Sequence, residues 1–275
     1  MKKRKSAVFD VVGYIVLFLI VLIVVLPLFW LIVSSFKSDA DVIKWPPHFF
    51  PSEWVATQYR YVMKAIPVLD MLKNTVIFAG CVTVISLFFD SLAAYAFSRM
   101  QFRGRKVIFG IILLTMMIPF QVIMIPLYLE EFNLKILNTY LGLILPRTAS
   151  AYGIYMLTSF FSGVPKSLDE AARIDGASSF ALFRKIKLPL LMPTVLMASI
   201  VTMIGSMRVF DTIKLMTEGG PEGSTMVLVY YVYYQGFRAY KSGYASAIAV
   251  ILFLIMLGMT LLQWLARRKV SHYEE

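Results

Sequence analysis

Apolar positions run along this chain in blocks of about 20 residues, each bounded by a short polar stretch, and a block of that length matches the roughly 30 Å of hydrocarbon in a bilayer. The pattern predicts six spans, at about 11–33, 74–97, 107–129, 139–161, 188–210 and 244–266. They are expected as helices, because in lipid every backbone N–H and C=O must be satisfied within its own segment. Two blocks are interrupted by a charge, Asp90 in the second and Arg147 in the fourth. A charge at that depth costs roughly 2.5–3.5 kcal/mol on insertion scales, so both should face the bundle interior or a cavity.

Composition agrees with the pattern. The 275 residues are 59% hydrophobic and 16% charged, with a mean hydropathy of +0.74; soluble domains are about a quarter charged. The expectation is an all-α polytopic membrane protein, one transmembrane domain over residues 1–275. The net charge of +11 then reports topology rather than nucleic-acid binding. A single cysteine, Cys81, and two histidines, His48 and His272, leave no disulfide framework, and no metal site is expected. The basic start, MKKRK, precedes an uncharged run, Val11–Val33, with no small-x-small cleavage site after it. It reads as a span that stays in the membrane.

Most of the 27 Lys and Arg residues gather on one side: the N-terminus, the loop after the second predicted span, the loop around 162–187 and the C-terminal tail. The positive-inside rule puts that side, and both termini, in the cytoplasm. On the outer side, residues 34–73 carry Trp45-Pro46-Pro47 and Trp54, an aromatic stretch suited to the interface.

The most informative polar stretch is PKSLDEAARIDGASSFALFRKIKLPLLMP, residues 165–193. Glu170-Ala171-Ala172 is followed after three residues by Gly176, then after nine by Ile186, then by Leu188-Pro189. Ser167 and Glu170 are spaced as a capping box, and Asp169 and Glu170 complement the positive end of a helix dipole. Leu168, Ala171 and Ala172 then share one face, and the small alanines let a partner surface approach. Gly176 can take φ > 0 and end this first helix in a sharp turn. A second helix, about Ser179–Ile186, is expected to stop before Pro189. A helix-turn-helix between spans does little for the membrane itself; it is suited to gripping another protein.

That spacing resembles the EAA signature of permease subunits of binding-protein-dependent ABC importers. The neighbouring sequence is similar to the sugar-importer branch and is MalG-like: Ala94-Tyr95-Ala96-Phe97-Ser98-Arg99, Met117-Ile118-Pro119 and Phe161-x-Gly163-Val164-Pro165 support it. The C-terminal third, with Thr217-Glu218-Gly219-Gly220-Pro221, looks more like the MalF-like partner permease. The resemblance implies a bacterial or archaeal plasma (inner) membrane protein that imports a sugar or small oligosaccharide. Glu170, Ala171, Ala172, Gly176, Ile186, Leu188 and Pro189 would couple it to a cytoplasmic ATPase. It implies two ATPase copies that bind ATP and Mg, a second, MalF-like permease, an extracytoplasmic sugar-binding protein and surrounding membrane lipid as partners. The chain itself has no G-x-x-x-x-G-K-[S/T] loop, so no cofactor and no enzymatic activity of its own is expected.

Other residues suggest a substrate path. Arg147, after Pro146, is a candidate lining residue, as are Arg208 and Asp211 at the end of the fifth predicted span. Tyr231 and Tyr234, within the run 230–234, suit either sugar stacking or interfacial anchoring. The turn at Gly219, Gly220 and Pro221 is a candidate contact for the binding protein. The competing class is an ion- or proton-coupled secondary transporter, which usually shows an internal repeat and paired intramembrane carboxylates; here Asp90 stands alone.

Overall fold

Every regular element among the described residues is helical. The computed structural model describes residues 2–65, 68–174, 176 and 178–270. The chain runs through α1 (Lys2–Ser34), α2 (Asp39–Val42), α3 (Thr57–Ala65) and α4 (Val68–Arg99). It continues with α5 (Arg105–Thr115), α6 (Phe120–Asn133), α7 (Tyr140–Ile144) and α8 (Ala151–Gly163). Then come α9 (Lys166–Ile174), α10 (Ser179–Leu182), α11 (Leu188–Met207), α12 (Asp211–Met216), α13 (Leu228–Tyr233) and α14 (Ser242–Val270).

Among the described residues, four helical stretches are long and apolar enough to cross a membrane: Val11–Ser34, Leu69–Arg99, Pro189–Met207 and Ser242–Leu265. They correspond to the first, second, fifth and sixth predicted spans. The third and fourth are not single straight helices. Around 107–129 the chain forms α5 and α6, bent by 99° at the break between them. Pro119 causes the break: it disfavours helical geometry at Ile118 and takes the N-cap position of α6 with ψ 135°. Around 139–161, α7 passes into a 3₁₀ turn at Leu145–Arg147 and stops, and α8 starts afresh at Ala151. Pro146 lacks the N–H a continuing helix needs. Ser150 restarts the helix, its side chain accepting from the Gly153 N–H.

The chain divides into two compact units. The first is Met1–Val68 with Tyr231–Phe253. Its α14 is capped by Asp39, whose Oδ1 accepts from the N–H groups of Gly243 at 2.8 Å and Tyr244 at 3.3 Å. Lys37 is buried; its ammonium donates to the His48 carbonyl and sits 4.6 Å from the centroid of the Trp30 ring. Asp41 accepts from the Ser52 N–H at 2.9 Å and its hydroxyl at 2.7 Å, and these two bonds hold its carboxyl below the usual carboxylate range.

The second unit is Leu69–Tyr230 with Leu254–Glu275. Ala94, Leu157, Phe161 and Leu191 form a buried cluster there, flanked by Phe160 and Val195. It joins α4, α8 and α11. Gln263 of α14 reaches Ser199 of α11 at 3.4 Å.

Candidate coupling site and the polar groups of the spans

The loop between α8 and α11 is held at both ends by the last two turns of α4. At its entrance, Arg99 Nη2 donates to the Val164 carbonyl at 2.7 Å. At its exit, the Lys187 ammonium lies 5.2 Å from the centroid of the Tyr95 ring. Tyr95 in turn meets Phe161 edge to face, at 5.7 Å between centroids. The cluster of Ala94, Leu157, Phe161 and Leu191 lies directly behind these contacts. The loop's two ends therefore move with α4.

Within the loop, Gly176 makes the expected turn with φ +77°, and a Cβ there would meet nothing within 4 Å. Three details differ from the sequence expectation. Helix α9 starts at Lys166, so Ser167 lies inside the first turn and is not the N-cap of a capping box. Of the predicted apolar face, only Ala172 is buried; Leu168 and Ala171 are exposed, and Ile174 is 85% exposed. The second helix does not stop before Pro189. Helix α10 runs into a π-helical turn, Phe183–Lys187, and straight on into α11, with Pro189 in the first turn. The π-helical turn shifts the hydrogen-bond register directly before Pro189, so the helix continues through the proline. Glu170 and Pro189 are exposed, Ile186 is half-buried, and the Leu188 side chain lies outside the described ones.

Asp90 is fully buried. Its Oδ1 accepts from the Ser150 N–H at 2.8 Å and its Oδ2 from the Ser86 hydroxyl at 2.9 Å. The carboxylate therefore caps α8 from a different helix, where the dipole favours negative charge. A Cβ on Gly153 would run into this carboxylate, so glycine is what lets α4 and α8 come so close. Non-helical backbone at depth is tolerated because a side chain of the protein satisfies it.

Arg147 is held by two contacts: Nη2 donates to Thr212 Oγ1 at 2.8 Å, and the guanidinium lies 4.7 Å from the centroid of the Phe120 ring. Its Nε is buried without a partner. It lines a cavity of about 320 Å³ with Ser86, Phe120, Ser150, Thr202 and Ser206. Asp211 accepts from Gln121 at 2.8 Å. Arg208 is exposed, as is Tyr234, while Tyr231 is half-buried.

The turn at 217–226 has a fixed base and an exposed tip. Gly219 is buried with φ +85°, and a Cβ there would meet Met226 Cε at 2.7 Å. Thr225 donates to the Gly220 carbonyl at 2.6 Å. Asn74 of α4 donates to the carbonyls of Gly223 and Met226, both at 3.3 Å. The Tyr140 hydroxyl lies within 2.7 Å of Asn74 Oδ1 and 3.0 Å of the Ser224 carbonyl. Pro221 through Ser224 form the exposed tip. Tyr140→Phe should loosen the turn by about 1 kcal/mol, the usual worth of one hydrogen bond. Faster amide exchange at residues 219–226 checks this, and unchanged exchange counts against the stitching role.

Several residues of these arrangements were not candidates from sequence: Arg99 and Tyr95 as anchors, Thr212 behind Arg147, Asn74 and Tyr140 under the turn. Arg99 and Tyr95 did stand in a family-like stretch, but nothing in that stretch showed what they touch.

A family model described as "Binding-protein-dependent transport system inner membrane component" matches residues 86–271. The chain belongs to this family: it is an inner-membrane component of a binding-protein-dependent transport system. Two curated relatives are the polygalacturonan/rhamnogalacturonan transport system permease protein YtcP of Bacillus subtilis, 34% identical over 70% of this chain and 66% of its own length, and the arabinooligosaccharides transport system permease protein AraQ of Halalkalibacterium halodurans, 30% identical over 76% of each. The match to the first of these spans just under two thirds of that relative. Among solved structures, a bacterial ABC transporter involved in the import of the acidic polysaccharide alginate has a similar fold. The TM-score is 0.75 at 24% identity, over 94% of this chain and 97% of that one.

Proposed function

We propose that this chain is the permease subunit of an ATP-driven importer for a sugar or small oligosaccharide, and that residues 165–189 are its dock for a separate cytoplasmic ATPase. The observation that carries the docking reading is the loop itself: an EAA-spaced helix leaves Ile174, Leu168 and Ala171 uncovered while both its ends are fastened to α4. Exposed apolar side chains on an otherwise polar loop mark an interaction surface. The printed functions of the two relatives support the saccharide class.

In this reading the chain crosses the membrane six times, with α5 and α6 as one broken crossing and α7 and α8 as another. Both termini lie in the cytoplasm. Glu170, Ala171, Ala172, Gly176, Ile186, Leu188 and Pro189 form or support the ATPase dock. Two ATPase copies bind ATP and Mg, and their closure swings this chain against a second permease, a rigid-body transition. Arg147, with its unpartnered Nε in the cavity, lines the path; Arg208, Asp211, Tyr231 and Tyr234 are further path candidates. The extracytoplasmic binding protein lands on the 217–226 turn, with Gly219 and Gly220 shaping it and Pro221 on the presented tip.

The test is a mild-detergent pull-down from native membranes with Gly176→Ala and Gly176→Trp in parallel. Both variants carry the strain of φ > 0, but only tryptophan adds bulk beyond a Cβ, which itself meets nothing within 4 Å. We expect an ATPase and a second permease with the wild type, a modest loss with alanine and a loss of tenfold or more with tryptophan. Recovery of the chain alone, or equal recovery with both variants, would overturn the docking reading and favour an ion-coupled transporter.

A further inference from the structure

A second pocket, unrelated to the Arg147 cavity, lies entirely within the first unit. Gln58, Tyr61, Tyr231, Gln235, Lys241 and Tyr244 line a cleft of about 460 Å³, a size within the roughly 300–1,000 Å³ of small-molecule clefts. Its lining is three phenol rings, two carboxamides, an ammonium and the Asp39 carboxylate. Tyr231 and Tyr244 both present their rings to the cleft. Asp39, also at the cleft, is engaged in capping α14 through the Gly243 and Tyr244 N–H groups.

Two independent observations point to a ligand. Gln235 is only 8% exposed, yet its amide oxygen has no hydrogen-bond partner. Leaving such an acceptor unsatisfied costs about 1–3 kcal/mol, and a ligand hydroxyl in the cleft would relieve it. In addition, Gln235 sits on a π-helical turn, Tyr234–Arg238. Such turns in helical segments occur frequently at functional sites. The widened turn carries Gln235 into the cleft and leaves its main-chain carbonyl to accept from the Lys241 N–H at 2.8 Å.

We infer that this cleft is a saccharide-binding subsite, separate from the Arg147 cavity, that holds one ring of the transported sugar; the inference rests on the importer reading above. The chemistry selects a polyhydroxylated ring. A carboxamide offers an acceptor and two donors at once, which suits the neighbouring hydroxyls of a sugar. Tyrosine presents an apolar face and a polar tip, which suits a pyranose with C–H bonds on its faces and hydroxyls at its edge. The seven lining residues include no Ala, Val, Leu, Ile or Met, so an acyl chain has no aliphatic wall to bury against. Lys241 and Asp39 bring one charge of each sign to the cleft, so the lining carries no net charge and suits a neutral ring.

The test uses the complete importer, purified with its co-expressed partners and reconstituted in nanodiscs without the binding protein. Equilibrium binding is measured with radiolabelled maltotriose, arabinotriose and trigalacturonate. At least one should bind. Gln235→Leu should weaken it about tenfold, and Tyr61→Ala, at a 60% exposed position, should weaken it similarly without disturbing the fold. Co-purification of the ATPase and the unfolding midpoint should stay as in the wild type for both. Binding that is unchanged in both variants, or absent for all three trisaccharides, would overturn the subsite while leaving the importer intact. If no ATPase co-purifies with the wild type, the importer reading fails and this inference fails with it.

Discussion

Adding one methyl group at Gly153 is expected to destabilise the second unit by about 3 kcal/mol. An alanine Cβ there runs into the Asp90 carboxylate. Asp90 has nowhere to retreat: it is fully buried and bonded to Ser150 and Ser86. Overpacking alone costs about 1–3 kcal/mol, and loss of a hydrogen bond to a charged group about 1.5–3 kcal/mol. Denaturant unfolding of the purified chain in detergent reads the effect. Gly153→Ala placed on an Asp90→Ala background should cost much less than the sum of the single changes, because residues in contact couple. Additive costs would show that the two residues do not depend on each other.

The second large effect is expected at Arg99. Its bond to the Val164 carbonyl fastens the entrance of the 165–189 loop to α4, and a charge-assisted bond of this kind is worth about 1.5–3 kcal/mol. Arg99→Ala should therefore lower ATP-driven uptake by tenfold or more while the ATPase still co-purifies, because the dock survives but its anchorage does not. Arg99→Lys should recover only part of the rate, since a point ammonium does not reproduce the guanidinium fork. Uptake at wild-type rate in Arg99→Ala would show that the loop transmits motion without this anchor. Loss of the ATPase itself would show that Arg99 shapes the dock directly.

These two sites differ in how far the sequence foretold them. The spacing from Glu170 to Pro189 announced the loop, and Gly176 announced its turn, because both are local properties of a short segment. Asp90 was visible as a charge that needed a protein partner, but not as the cap of α8; its donor is 60 positions away along the chain. The breaks at Pro119 and Pro146 were readable in principle. Hydropathy averaged over 20 residues hides them, since an apolar block looks the same whether its helix is whole or bent by 99°. At Pro189 the local effect of proline alone predicts a helix end, but a π-helical turn changes the register just before it and the helix continues. Gln235 could not have been singled out, because one glutamine in a tyrosine-rich run carries no signal until its amide is seen to lack a partner.

The bond between Asp90 and Ser150 also has a consequence for the order in which the protein is made. The ribosome adds about 5–20 residues each second, so the 60 positions between the two groups correspond to a delay of about 3–12 s. Throughout that interval α4 carries a carboxylate whose helix-capping donor does not yet exist. Bare lipid is an unfavourable place for it, by roughly 2.5–3.5 kcal/mol on insertion scales. Until the start of α8 arrives to pair with it, that cost opposes the transfer of the newborn α4 into lipid.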